Sequence, residues 1–299
     1  MLTKTTEEIL LGHSPDPDDA AMFYAVAEGK IDLRGYRFKH ILEDIQTLNE
    51  RAARGELHVS AISIHAYAYV MDKYALMPCG ASMGDGYGPV LIAKDASNLQ
   101  EGSTPTEIRA WLLGKRVAIP GKLTSANLAL QLCLGQCEVV VMSFDKIFDA
   151  LNAGSAEAGL IIHEGQLTYR REGFAKIIDL GQWWTERTGL PLPLGGNVIR
   201  RDMEPRAQRD IVEIVRESIG YALEHGDAAT RHSMNYARGL EEGEAKRFIG
   251  MYVNRLTLDY GKCGREAVWR FLNEAAEAGF IPKSANLSSD FFGECYSDR

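Results

Sequence analysis

Apolar residues in this chain follow two rhythms that alternate over its first two thirds: short continuous runs of four or five, and longer stretches at helical spacing. The short runs lie at residues 9–13, 38–42, 59–64, 90–93, 115–121, 139–142, 158–162 and 177–180, bounded mostly by glycine, proline or acidic residues, and predict buried strands. Between them, helical spacing is carried by Met22, Phe23, Val26 and Ala27, by the stretch from Asp44 to Gly55, by the residues after His65, by Leu128 to Leu134, by Ile147 to Asn152, and from Trp183 to Gly189. Strand followed by helix, repeated, predicts parallel sheets with crossover helices. From Gln208 onward the pattern is helical throughout, with Ile211, Val212, Val215, Ile219 and Leu223 on one stripe and two further stretches at 241–253 and 265–278.

Residues 190–200 interrupt the alternation with Pro191, Pro193, Gly195 and Gly196, and read as a crossover that returns the chain to its first unit. The resulting expectation is an α/β protein of two lobes. Residues 1–93 and 196–299 form the larger lobe and 94–195 the smaller, in a clamshell whose hinges lie near Ala93 and Gly196, with C-terminal helices packed on the first lobe.

In open α/β sheets ligands bind beyond the carboxyl ends of the strands, so the polar residues placed there are the candidates for chemistry. Ser14 follows the first strand, Ser63 ends the third, Thr124 and Ser125 follow the strand at 115–121, and His163 ends the run at 158–162. Thr124 and Ser125 are also natural N-cap residues. A histidine with an ordinary pKa of about 6.5 is a suitable general base near neutral pH. Glu164, next along a continuing strand, is expected to point the other way and to act structurally. In the loop at 14–19, Pro15 and Pro17 exclude helix, while Asp16, Asp18 and Asp19 read as caps for a helix starting near Ala20. Their charges would repel an anion, which makes the loop pocket-forming without being a phosphate cradle. The glycine-rich stretch at 80–89 leads into a strand and not a helix, which excludes a dinucleotide fingerprint.

Composition narrows the classes. The 299 residues carry 33 basic and 41 acidic side chains, a net charge of -8, which gives no footprint for nucleic acid. No apolar run is long enough for a membrane span, and the acidic N-terminus reads as no secretory signal, so the expected place is the cytoplasm. The five cysteines, Cys79, Cys133, Cys137, Cys263 and Cys295, are odd in number and scattered, as in a reducing compartment. Cys133 and Cys137 lie four apart on a helical pattern, but no nearby histidine completes a metal site.

Several segments together carry a resemblance. Gly12-His13-Ser14-Pro15 with Asp19 and Phe23-Tyr24, Glu43-Asp44, Pro120-Gly121 with Thr124, Ala158 through Glu164, and Thr188 through Gly195 resemble, in order, the 1,4-dihydroxy-6-naphthoate synthase family of the futalosine route to menaquinone. The resemblance runs from about residue 9 to about residue 280. It implies a periplasmic-binding-protein-like fold of the second type and a lyase acting on cyclic de-hypoxanthine futalosine. It makes His163 the proton acceptor and places Ala61, Ile62, Ser63, Thr124 and Ser125 against substrate beside Ser14. Neither metal nor organic cofactor is implied, and the partner is a small-molecule substrate. Two positions depart from the family pattern: Asp16 stands where many members carry cysteine, and Ala61 where a lysine is common. The same superfamily holds two other functions to be weighed, a small-molecule binding protein, cytosolic or exported, and the chorismate dehydratase of the same route. An enzyme needs a positioned base in the cleft, whereas a binder needs the cleft alone.

Overall fold

The structure, a computed structural model, describes residues 7–100 and 102–283; Cys295 and the first six residues lie outside them. Its strands are β1 (Glu7–His13), β2 (Tyr36–Leu42), β3 (Val59–Ser63), β4 (Tyr74–Leu76), β5 (Ser82–Gly84), β6 (Val90–Ala93), β7 (Arg116–Ile119), β8 (Glu138–Val141), β9 (Ala158–Ile161), β10 (Ala175–Asp179) and β11 (Leu192–Arg200). They form two sheets. The first has the order β2-β1-β3-β11-β4, with β5 on β11; the second has the order β10-β6-β9-β7-β8.

The alternation of strand and helix accounts for the parallel heart of each sheet, β2-β1-β3 in one and β8-β7-β9 in the other. Antiparallel strands complete them: β11 against β3, β4 and β5, and β6 and β10 beside β9. The segment read as a crossover at 190–200 is therefore largely a strand, nine residues long. Its proline is tolerated because Pro193 lies where the pairing with β5 shifts register, at a place that needs no ladder donor.

Local chemistry sets the element ends. Asp44 caps the helix Ile45–Arg54 by accepting from the Gln46 and Thr47 amides at 3.0 and 3.2 Å, and Gly55 closes it in the left-handed region at φ 72°. Pro17 does not exclude helix as expected. It occupies the first turn of the helix Pro17–Met22, where a missing N–H costs nothing. The long helix Pro205–Glu224 buries Ile211, Val212, Val215 and Ile219 against Ile9, Leu11, Val59 and Ile199 of the first sheet, while Leu223, expected on the same stripe, is exposed.

A second core is continuous across both sheets and joins Ile62, Leu76 and Val198 to Leu91, Val117, Ile119 and Leu160. The chain passes between the sheets within 85–89 and again within 180–191; Ala93 ends β6 and Gly196 lies inside β11. The two passages lie back to back. Leu180 N–H donates to Pro89 O at 2.9 Å, and Gly86 N–H donates to Thr185 Oγ1 at 3.2 Å. A Cβ on Gly181 would stand 1.8 Å from Tyr87 O and 2.5 Å from the Gly88 nitrogen, so the contact exists because neither Gly88 nor Gly181 has a side chain. Gly181→Ala should therefore force backbone apart and lower stability by about 1–3 kcal/mol or more, read as a lower urea midpoint; an unchanged midpoint would show that the passages are not in close contact.

Candidate active site

Four loops that leave the carboxyl ends of β1, β3, β7 and β9 enclose one cavity of about 770 Å³ including its mouth. Ser14, Ala61, Ile62, Ser63, Thr124, Ser125 and His163 all line it, which brings every site residue expected from the sequence to one place. Asp16, Asp18, Asp19, Asn197, Gln166, Phe248 and Tyr252 line it as well. No lysine or arginine is among the described lining residues, and Ala61 adds no charge where a cation is common.

The strand β9 stops at Ile161. Two residues later His163 adopts a left-handed backbone at φ 56°, an uncommon state for a residue with a side chain, and Glu164 begins the turn into the helix Gly165–Thr168. The strand does not continue, so Glu164 is not turned to the opposite face as expected. Its Oε1 stands 3.4 Å from the Arg238 guanidinium.

The left-handed turn brings His163 Nδ1 to 3.0 Å from Asp16 Oδ2. Asp16 is buried, and its carboxylate does not cap the helix that follows it. Its Oδ2 accepts from Ser14 Oγ at 2.5 Å, and its Oδ1 forms an ion pair with Arg238 Nη1 at 3.0 Å without a hydrogen bond between them. Arg238 also donates to Pro15 O at 3.1 Å and lies over the Phe144 ring, whose edge-to-face contact with His163 has a centroid distance of 4.7 Å. The remaining ring nitrogen, Nε2, is buried without a protein partner.

Charge follows from these contacts. Burial alone would lower the His163 pKa, but the charge of Asp16 and the hydrogen bond to it outweigh burial, with Glu164 and Asp18 adding to them, and raise it to about 9. The ordinary value expected from the sequence is thus displaced upward. Burial would raise Asp16, but His163, the Ser14 hydroxyl and Arg238 hold it down to about 2. Burial and the Asp16 charge push Asp18 up to about 7, while burial and both neighbouring aspartates push Asp19 well above the usual range. Asp19 Oδ2 accepts the Ser14 amide at 2.7 Å. The loop read as three negative charges and helix caps is therefore one ion pair beside two carboxyl groups that favour protonation.

The hydroxyls opposite are held differently. Thr124 Oγ1 caps the helix Ser125–Leu134 by accepting from Asn127 N–H at 3.2 Å and gives its proton to Gly121 O at 2.9 Å. Ser125 Oγ accepts the His65 amide at 3.1 Å, and Ser63 Oγ accepts from Asn49 Nδ2 at 3.0 Å, which leaves both serines a proton to donate. Asn197 was hidden by reading its strand as a crossover, and Arg238 lies in a polar stretch between helices with no motif to mark it. The described residues hold no group of three or more histidine, cysteine or acidic side chains placed to bind a metal. No described helix is long and apolar enough to cross a membrane.

Comparison with known proteins bears on the family and the fold. A curated protein of Thermus thermophilus named 1,4-dihydroxy-6-naphtoate synthase is 37% identical over 278 residues, 93% of this chain and 97% of the relative. The crystal structure of an Archaeoglobus fulgidus protein superposes with a TM-score of 0.84 at 44% identity, covering 92% of this chain and 98% of that one. An alkanesulfonate-binding protein of Xanthomonas axonopodis, at 12% identity and a TM-score of 0.67 over 92% of this chain and 94% of its own, shares the fold alone and identifies it as that of the periplasmic binding proteins. Residues 9–277 match the family described as menaquinone biosynthesis, and it is to this family that the chain belongs.

Proposed function

We propose that this chain is a lyase that converts cyclic de-hypoxanthine futalosine to 1,4-dihydroxy-6-naphthoate in the cytoplasm, with His163 as its general base. The observation that carries the base is the ring held at Nδ1 by Asp16 with Nε2 left unpartnered, on the wall of the cavity. The product is the one in the name of the Thermus relative, and the substrate is the one the family resemblance implies. The enzyme reading is favoured over the binding module by the named relative and the matched family, and the carboxylate-paired imidazole in the cavity supplies the base it needs.

In this reading the neutral ring takes the substrate proton at Nε2. The electron pair released drives ring-opening carbon–carbon cleavage, and formation of the aromatic product supplies the driving force. The imidazolium that results is stabilised by Asp16. Ser63 and Ser125 donate to substrate oxygens. Thr124, whose proton is committed to Gly121 O, offers a lone pair and caps the helix end that borders the cavity.

Three outcomes are expected. His163→Asn and His163→Ala should bind substrate with little loss and lose about 10²–10⁴-fold in kcat, the usual contribution of a positioned base; activity within a few-fold of wild type removes His163 from the mechanism. The pH profile carries a sign. A pKa of about 9 leaves His163 charged at neutral pH, so kcat/KM of the free enzyme should climb as pH rises and level off above about 9. A profile already flat at pH 7 would contradict this. Ser125→Ala should weaken substrate binding by about 0.5–1.5 kcal/mol in calorimetry, and unchanged affinity would leave its hydroxyl as a partner of the His65 amide alone.

A further inference from the structure

We propose that Asp16 is the positioning residue of His163, reaching it from the loop of the opposite sheet, so that the base takes its working form only where the two sheets face each other. The inference rests on His163 as the base and adds to that reading the group that aims and orients it. Asp16 follows β1 of the first sheet, and His163 follows β9 of the second. The contact between them is therefore not fixed by either sheet alone.

The geometry fits that task. A carboxylate is acceptor-only, so Asp16 Oδ2 at 3.0 Å requires the proton of the neutral ring to sit on Nδ1. The lone pair is then on Nε2, the nitrogen without a protein partner. Asp16 is itself fixed, by Ser14 Oγ on one oxygen and by Arg238 beside the other, and Arg238 is anchored on Pro15 O and over Phe144. A carboxylate so held turns a histidine into a directed base, and loss of the equivalent carboxylate in hydrolases leaves geometry intact but the tautomer wrong. Asp16 is also one of the positions in the first loop at which this chain departs from the family pattern. The charged or titratable groups facing His163 are Asp16, Asp18 and Asp19 from the first loop, Glu164 from its own turn, and Arg238 paired to Asp16 and Glu164. Asp16 is the one within hydrogen-bonding distance of the ring, 3.0 Å from Nδ1.

The test combines kinetics with a readout that needs no turnover. Asp16→Asn should lower kcat by about 10²–10⁴-fold with KM within a few-fold, and should move the rising limb of kcat/KM from about pH 9 down toward the ordinary histidine range of about 6.5. In the His163→Asn background the same substitution should cost nothing further. Nitrogen NMR of the wild-type ring should show the proton on Nδ1 in the neutral form and titration well above 6.5, and Asp16→Asn should lower that titration point. A limb and a titration that do not move, or losses that multiply in the double variant, overturn the proposal. If Asp16→Asn fails to fold, the wild-type spectrum decides, because a neutral ring protonated on Nε2 or a titration near 6.5 is incompatible with it. If the titration moves as expected but His163→Asn keeps full activity, the pairing stands while the base assignment fails.

Discussion

A carboxylate cannot stay charged out of water without a partner, and in the first loop the buried carboxylate held in its charged form is Asp16. An isolated buried charge costs several kcal/mol, more than any single contact around it returns, so the arrangement holds only when all its partners are in place. Those partners come from separate parts of the chain: Ser14 from the same loop, His163 from the second sheet, and Arg238 from the polar stretch before the last helices. One carboxylate thereby ties the first sheet, the second sheet and the C-terminal helices together at the point where the cavity closes.

Much of this was legible in the sequence, and for identifiable reasons. A buried strand declares itself by an uninterrupted apolar run, and the polar residue after it must lie at the strand's carboxyl end, which is why Ser14, Ser63, Thr124 and His163 were found without a structure. What was hidden depended on backbone conformation and distance. Strand polarity is not written in an apolar run, so β6 and β11 could not be seen to run antiparallel to their neighbours. Nothing about Glu164 announces that the residue before it is left-handed, and the partner of Asp16 is a histidine 147 positions away. The aspartates of the first loop were read as helix caps because capping is the local use of such residues; the tertiary contact overrode it.

The same loop shows how the reading of charge changes once atoms have neighbours. Counted from the sequence, Asp16, Asp18 and Asp19 are three negative charges within four residues. Placed side by side under cover, they cannot all ionise, and the one that stays charged is the one with a histidine and an arginine. The two others are pushed toward the protonated form, in which a carboxyl group can donate as well as accept. A cavity that looks strongly acidic in the sequence is therefore less so once folded, because burial works against charge on two of its three aspartates.

Gly88 and Gly181 lie where the two passages between the sheets touch, backbone against backbone. Two connections that far apart in sequence would ordinarily flex separately and let one sheet wander over the other. Joined at a point with no side chains between them, and with one apolar core running through both sheets, they fix one sheet against the other. The separation of the loops that carry Asp16 and His163 thus depends on a junction made wholly of main chain.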